Sequence, residues 1–160
     1  MSQFTGPLRL EHLDVDWRLW RLLEPLQYEV GQLGSGQVVE VPEDFITDGA
    51  SVPRVLWAWL PTWGRWSRAA TLHDFAYGQI HEGTPHPLMS TRQEADRIFH
   101  EAMLVSGVNR PTAFIMWLAV RFFGQFARVR RAARERKQKA KAVVHAKLVD
   151  ERNKSEPRPQ

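Results

Sequence analysis

The chain has 160 residues, 43% of them apolar, enough for one compact core and too few to argue for two. It has no cysteine, which excludes disulfides and thiolate metal sites, so any metal must be held by His and carboxylates. The net charge of +4 hides a split, with 12 Lys/Arg and 4 Asp/Glu from Arg128 to Gln160 against 10 and 14 in residues 1–127, so the basic character belongs to an appendage.

The opening MSQFTGPLRLEHLDVDW lacks the basic n-region and apolar h-region of a secretory signal, and a cytoplasmic location is expected. Residues 7–47 predict short strands, PLRLEHL, LLEPLQYEV and QVVEVP, forming a small antiparallel sheet. The glycines of GQLGSGQ supply the positive-φ positions of a hairpin turn between the last two. WRLWRLLE reads equally as helix, because Trp17, Trp20 and Leu23, with Leu22 beside them, follow an i, i+3 pattern.

After Phe45 the character changes. ITDGASVPRVLWAWLPTWGRW is broken by Gly49, Pro53, Pro61 and Gly64 and predicts a loop with a short aromatic helix. Its tryptophans 57, 59, 63 and 66 suit core and lid, with an interfacial lipid-binding surface as the alternative. Ser67 is the expected cap of a helix over 68–80, and HEGTPHPLMS an exposed connection. Ser90 with Gln93 predicts a capping box opening a second helix, which ends at Ser106 before Gly107. Pro111 opens a third, PTAFIMWLAVRFFGQFA, apolar almost all round and expected to pack on the other two. Its apolar run is interrupted by Arg121 and Gln125 and is shorter than the roughly 20 residues of a membrane span. The expected fold is α+β: a small N-terminal antiparallel sheet, a three-helix core and a basic C-terminal helical extension. Residues 1–127 form the domain, and 128–160 a solvated tail, helical and then disordered, with few residues to bury.

Chemistry concentrates at His73, Asp74, Tyr77 and Asp96. On one helix His73 and Tyr77 share a face, and Asp74 projects about 100° from His73. If the helices around 68–80 and 91–106 pack antiparallel, Asp96 can hold one imidazole nitrogen of His73 and leave the other as a general base toward water. Asp74 is then available for a hard cation such as calcium, with backbone carbonyls from Asp48, Gly49 and Ala50 completing the ligand set. Spacing alone favours a plainer account: a satisfied buried His73-Asp96 pair, Tyr77 as a tethered core aromatic, Asp48 and Ser51 as caps, and Arg54 paired with a carboxylate. His100, four residues after Asp96, offers a zinc set with His73 and Asp96, or else lies on the surface. His81 and His86 are expected to be solvated.

The runs VPEDFITDGASVPR, PTWGRWSRAATLHDFAYG, EADRIFHEAML and WLAVRFFG closely resemble the phage and prophage family known as domain of unknown function thirteen fifty-three. The resemblance covers roughly residues 38–125 and implies a bacteriophage origin without supplying a reaction. LHDFAYG followed by EADRIF also resembles the His-Asp-x-x-Tyr and Ala-Asp-x-x-Phe helices of phospholipases A2. That likeness implies His73 as general base, Asp74 as calcium ligand, Tyr77 as support and Asp96 as the group that orients His73. The function expected from it is a calcium-assisted lipid hydrolase acting on membrane phospholipid. The alternative is a non-enzymatic virion, assembly or host-interaction protein. Its partners would be other phage structural proteins, with nucleic acid or an anionic surface bound through the basic tail. The location is the host cytoplasm or the virion.

Overall fold

β-Branched and aromatic residues alternating with polar ones make the first third of the chain sheet-forming. The computed structural model describes residues 1–14, 16, 19–48, 64–123, 135, 137–144 and 146. Among these the fold is α+β, with two antiparallel three-stranded sheets followed by helices. One sheet orders β1 (Gln3–Phe4), β4 (Leu26–Glu29) and β5 (Val38–Val41), and the other β2 (Leu10–His12), β3 (Trp20–Leu22) and β6 (Ile46–Thr47). The single sheet expected from the sequence is therefore two. Leu23 and Glu24 bend the chain, and Pro25, with no N–H for a ladder, separates β3 in one sheet from β4 in the other. The ambiguous WRLWRLLE resolves to strand at 20–22; residues 17 and 18 lie outside the described residues.

The hairpin is where the glycines place it. Gly31, Gly34 and Gly36 have φ of 88°, 83° and 70°, and the Glu29 carboxylate accepts the Gly36 N–H at 3.1 Å. Loop N–H groups around this carboxylate hold its pKa below the usual value. In β5, Val39 and Val41 turn inward opposite Tyr28 and Leu26 of β4, while Val38 and Glu40 face out.

α1 runs Ser67–Glu82. Ser67 is its first helical residue and not its cap; the Ser67 hydroxyl reaches back to accept the Gly64 N–H at 2.9 Å. The connection after α1 is not fully exposed: Pro87–Met89 form a 3₁₀ turn that buries Met89, and His86, half-buried, accepts the Leu88 N–H through Nδ1 at 3.2 Å. α2 runs Arg92–Val105 and is opened by a capping box of Thr91 with Glu94, one residue beyond the expected Ser90 with Gln93. Glu94 brings a charge that suits the positive end of the helix, accepting from the Thr91 N–H at 3.0 Å and the Ser90 hydroxyl at 2.7 Å. Gly107 follows the end of α2 in the left-handed conformation. α3, Arg110–Phe123, begins with Asn109 accepting the Thr112 N–H at 2.9 Å. It packs on α2 through Ala113 and Met116 and leaves Phe114, Ile115 and Phe122 exposed, so its apolar character is not all spent in the core.

The main core joins the β1-β4-β5 sheet to α1, α2 and α3. A second cluster contains Leu13, Leu19 and Ile46 of the other sheet region, Ala140, and Val144 beside them. Residues 137–144, expected within a solvated extension, are thus helical and docked. They carry an apolar face too narrow to stand out in the sequence: Ala140 and Val144, one turn apart. Ala140→Asp should therefore cost about 2 kcal/mol or more in urea-induced unfolding. Lys139→Ala, on the exposed side of the same segment, should change stability by less than about 0.5 kcal/mol. Equally small effects of both would mean the segment does not dock.

Candidate functional site

The site begins with how α1 meets α2. α1 buries Ala69, Leu72, Phe75 and Ala76 in the main core, which leaves His73 and Tyr77 at the seam with α2. The His73 ring lies 4.8 Å from that of Phe99, and the Tyr77 hydroxyl reaches Asp96, so as α1 advances α2 recedes and the two are antiparallel. Asp96 then stands opposite His73, with Asp96 Oδ1 2.9 Å from His73 Nε2. The Tyr77 hydroxyl donates to the same oxygen at 2.7 Å. Arg121 of α3 reaches the other oxygen, with Nη1 3.4 Å from Oδ2. The His73 ring also lies against that of Tyr77, tilted by 39° with centroids 4.2 Å apart. The side chains of His73 and Asp96 are only 12% and 3% exposed. Burial alone would raise the Asp96 pKa, but hydrogen bonds from His73, Tyr77 and Arg121 outweigh it and hold the carboxyl below its ordinary value. The chemical result is a fixed imidazole. A carboxylate on Nε2 favours the tautomer with the proton there and leaves the Nδ1 lone pair as the basic position.

Asp74 points elsewhere. It meets the end of β6, where Thr47 is fully buried and its hydroxyl donates to the Asp74 carboxylate. The cation at Asp74 is the ammonium of Lys137, which hydrogen-bonds Asp74 Oδ2 and lies 3.1 Å from Asp48 Oδ1. Side-chain exposure is 18% for Lys137, 16% for Asp48 and 23% for Asp74, so the cluster is largely withdrawn from water. Burial and the neighbouring Asp48 push the Asp74 carboxyl above its ordinary value, against the pull of Lys137. Burial pushes the Lys137 ammonium the other way, but the two carboxylates overcome it and raise its pKa. A calcium ion held by Asp74 and Asp48 does not fit this arrangement, because an ammonium already engages both carboxylates. Gly49 and Ala50, the expected carbonyl donors, lie outside the described residues, as do Ser51, Arg54 and tryptophans 57, 59 and 63.

The structure thus brings His73, Tyr77 and Asp96 together, and Asp48 and Asp74 together on the neighbouring side of α1. His100 does not join them; its ring stands edge-on to Trp117 at 6.2 Å. Among the described residues no group of three or more His, Asp or Glu side chains is arranged to hold a metal ion, and no helix is long and apolar enough to cross a membrane. A cavity of about 650 Å³ lies at the start of α1, lined by Leu8, Leu10, Trp20, Arg65, Arg68 and Ser106 among others, and neither His73 nor Asp96 faces it. Sequence reasoning missed Arg121 and Lys137. Arg121 did carry a signal, since a lone charge in an apolar helix is usually paired. Lys137 is distinguished from its basic neighbours only by sharing a face with Ala140 and Val144.

Comparison with known proteins places the chain in a family. Residues 20–120 match the family described as Protein of unknown function (DUF1353), and the chain belongs to it. An uncharacterized protein, y4iH of Sinorhizobium fredii, is 36% identical over 80 residues. The match covers 49% of this chain and 30% of y4iH, so this chain corresponds to less than a third of that relative. No solved structure matches.

Two substitutions test the Asp96 cluster. Tyr77→Phe should cost about 1.5–3 kcal/mol in chemical unfolding, because the lost hydrogen bond goes to a charged acceptor. Asp96→Asn should show a pH signature. A carboxyl whose folded pKa is depressed contributes stability that is fully present above its unfolded value of about 3.9 and is lost as pH falls through the folded value. The stability gap between wild type and Asp96→Asn should accordingly be widest near neutrality and narrow below about pH 4. A gap independent of pH would contradict the depressed carboxyl.

Proposed function

Starting from a family whose description carries no activity, we propose that this protein is a phospholipase A2-like lipid hydrolase encoded by bacteriophage or prophage. It acts on membrane phospholipid in the host cytoplasm or from the virion. The observation that supports this reading is the shared acceptor: Asp96 Oδ1 receives both His73 Nε2 and the Tyr77 hydroxyl. That is the support a histidine general base needs.

His73 Nδ1 takes a proton from water as the water oxygen bonds to the acyl carbonyl carbon. The ester C–O bond then breaks, and the leaving alkoxide of the lysolipid takes the proton from His73, giving a free fatty acid. Asp96 holds the ring in one tautomer and stabilises the imidazolium, and Tyr77 and Arg121 keep Asp96 ionised and in place. Phe99 and Tyr77 pack against the ring and limit its rotation. Asp74 and Asp48 carry the Lys137 ammonium, and the hydrolysis proposed for His73 and Asp96 proceeds without a part for them.

A second reading is favoured by a specific observation. Asp96 is satisfied by three side chains and Asp74 by Lys137, which is what a purely architectural cluster requires. On that reading the protein is a non-enzymatic virion, assembly or host-interaction component, docking on nucleic acid or another acidic partner through its basic tail.

The two are separated by incubating the purified chain, with and without CaCl2, with vesicles of phosphatidylethanolamine and phosphatidylglycerol and measuring released fatty acid. The hydrolase reading expects release that falls by about 10²-fold or more in His73→Ala. It is overturned if wild type releases none, or if His73→Ala, shown to be folded by circular dichroism, releases as much.

A further inference from the structure

The cavity at the start of α1 stands apart from His73 and Asp96, and its lining is of two kinds. Leu8, Leu10 and Trp20 supply apolar surface from the approach to β2, from β2 itself and from β3. Arg65, just before α1, and Arg68, in its first turn, supply two guanidinium groups. Among the described residues no carboxylate lines it. At about 650 Å³ it falls within the roughly 300–1,000 Å³ of sites that enclose a small organic molecule.

The two arginines are held in place yet lack counterions. Arg65 lies against Gly107: a Cβ there would stand 3.4 Å from Arg65 Nη1, and that nitrogen donates to the Gly107 carbonyl at 3.2 Å. Arg68 Nη1 donates to the Gly6 carbonyl at 3.5 Å, and the guanidinium carbon sits 5.0 Å from the centroid of the Phe4 ring. A guanidinium has five N–H donors, so each group keeps several for a ligand. Arg9, Arg21, Arg97 and Arg121 are each paired with a carboxylate, whereas Arg65 and Arg68 take part in no ion pair among the described residues. α1 adds to the positive field, since its first turn holds no acidic residue and its start has no side-chain cap. Ser106 lines the cavity as well, and its hydroxyl is buried without a hydrogen-bond partner. Folded proteins ordinarily satisfy such a group, and a ligand oxygen would do so here.

We propose that this cavity binds a single-chain amphiphilic anion, with its carboxylate or phosphate head on Arg65 and Arg68 and its alkyl chain against Leu8, Leu10 and Trp20. The planar fork of a guanidinium matches the oxygens of either head, and each methylene laid on the apolar wall adds affinity that a bare anion lacks. The site goes beyond the hydrolase reading and does not use His73.

Calorimetric titration of the full-length protein tests it, with sodium decanoate and decyl phosphate as probes, both below their micelle concentrations. 1-Decanol, which has the chain without the charge, and inorganic phosphate, which has the charge without the chain, are the comparisons. The better of the two decyl anions is expected to bind once per chain, at least about tenfold more tightly than either comparison, and its identity tells a carboxylate head from a phosphate head. Arg65→Gln and Arg68→Gln are each expected to weaken it about tenfold or more. Ser106→Ala should lower the affinity about threefold while leaving the urea midpoint at or above that of wild type, because the hydroxyl has no partner to lose. Arg65→Gln, at an exposed position, keeps the test valid if Arg68→Gln folds poorly. The proposal is overturned if neither decyl anion binds, if 1-decanol or inorganic phosphate binds as tightly as they do, or if the arginine variants bind as wild type does. His73→Ala should bind the decyl anion as wild type does, so failure of this site and failure of the hydrolase reading are separately visible.

Discussion

A buried carboxylate is tolerated only where donors surround it, and Asp96 is the point where the helices of this protein supply them. His73 and Tyr77 come from α1 and Arg121 from α3, so one side chain on α2 fixes the register of both neighbours. Sliding α1 by a single residue along α2 would take both donors away from the carboxylate. The packing of Leu72, Phe75 and Ala76 on the sheet would be lost in the same movement. Apolar packing and polar satisfaction thus demand one arrangement, which is the agreement across levels that defines a single native state.

The two acidic side chains nearest His73 in space and in sequence live under different rules. Asp96 is held below its ordinary pKa by several hydrogen bonds, whereas Asp74 is pushed above it by burial beside another carboxylate. Environments that drive these two carboxyls in opposite directions give the groups distinct protonation behaviour. The same divergence gives each a different structural duty: Asp96 ties helix to helix, and Asp74 ties α1 to β6 and to residues 137–144.

Much of this was legible along the chain. The hairpin glycines, the helices from Ser67, from around 91 and from Arg110, and the pairing of His73 with Asp96 all follow from periodicity and turn chemistry. Those are local properties, or in the case of His73 and Asp96 follow from two adjacent helices packing antiparallel. The split into two sheets was not legible, because which sheet a strand joins depends on partners such as Ile46 and Leu22 that lie far from it in sequence. The shift from Ser90 to Thr91 as cap turned on one contact, the acceptance of three hydrogen bonds by Glu94 Oε2. The role of Lys137 was hidden for a different reason. In a run rich in Lys and Arg every residue looks solvated, and only the position of Ala140 and Val144 relative to Leu13 and Ile46 shows which lysine turns inward. The sequence expected a metal ion at Asp74 with backbone carbonyls from Asp48, Gly49 and Ala50; the structure places the Lys137 ammonium between the Asp74 and Asp48 carboxylates.

The second apolar cluster has a consequence for how the chain comes to be folded. Leu13, Leu19 and Ile46 leave the ribosome before Ala140 and Val144 exist, and synthesis proceeds at roughly 5–20 residues per second. For several seconds the newly made sheet holds an uncovered apolar patch, with Asp48 and Asp74 beside it and no Lys137 to meet them. Contacts across this sequence separation close late because their loop entropy must be overcome first. The nascent protein therefore passes through a stage in which the surface later sealed by residues 137–144 is open to whatever ion or chaperone is at hand.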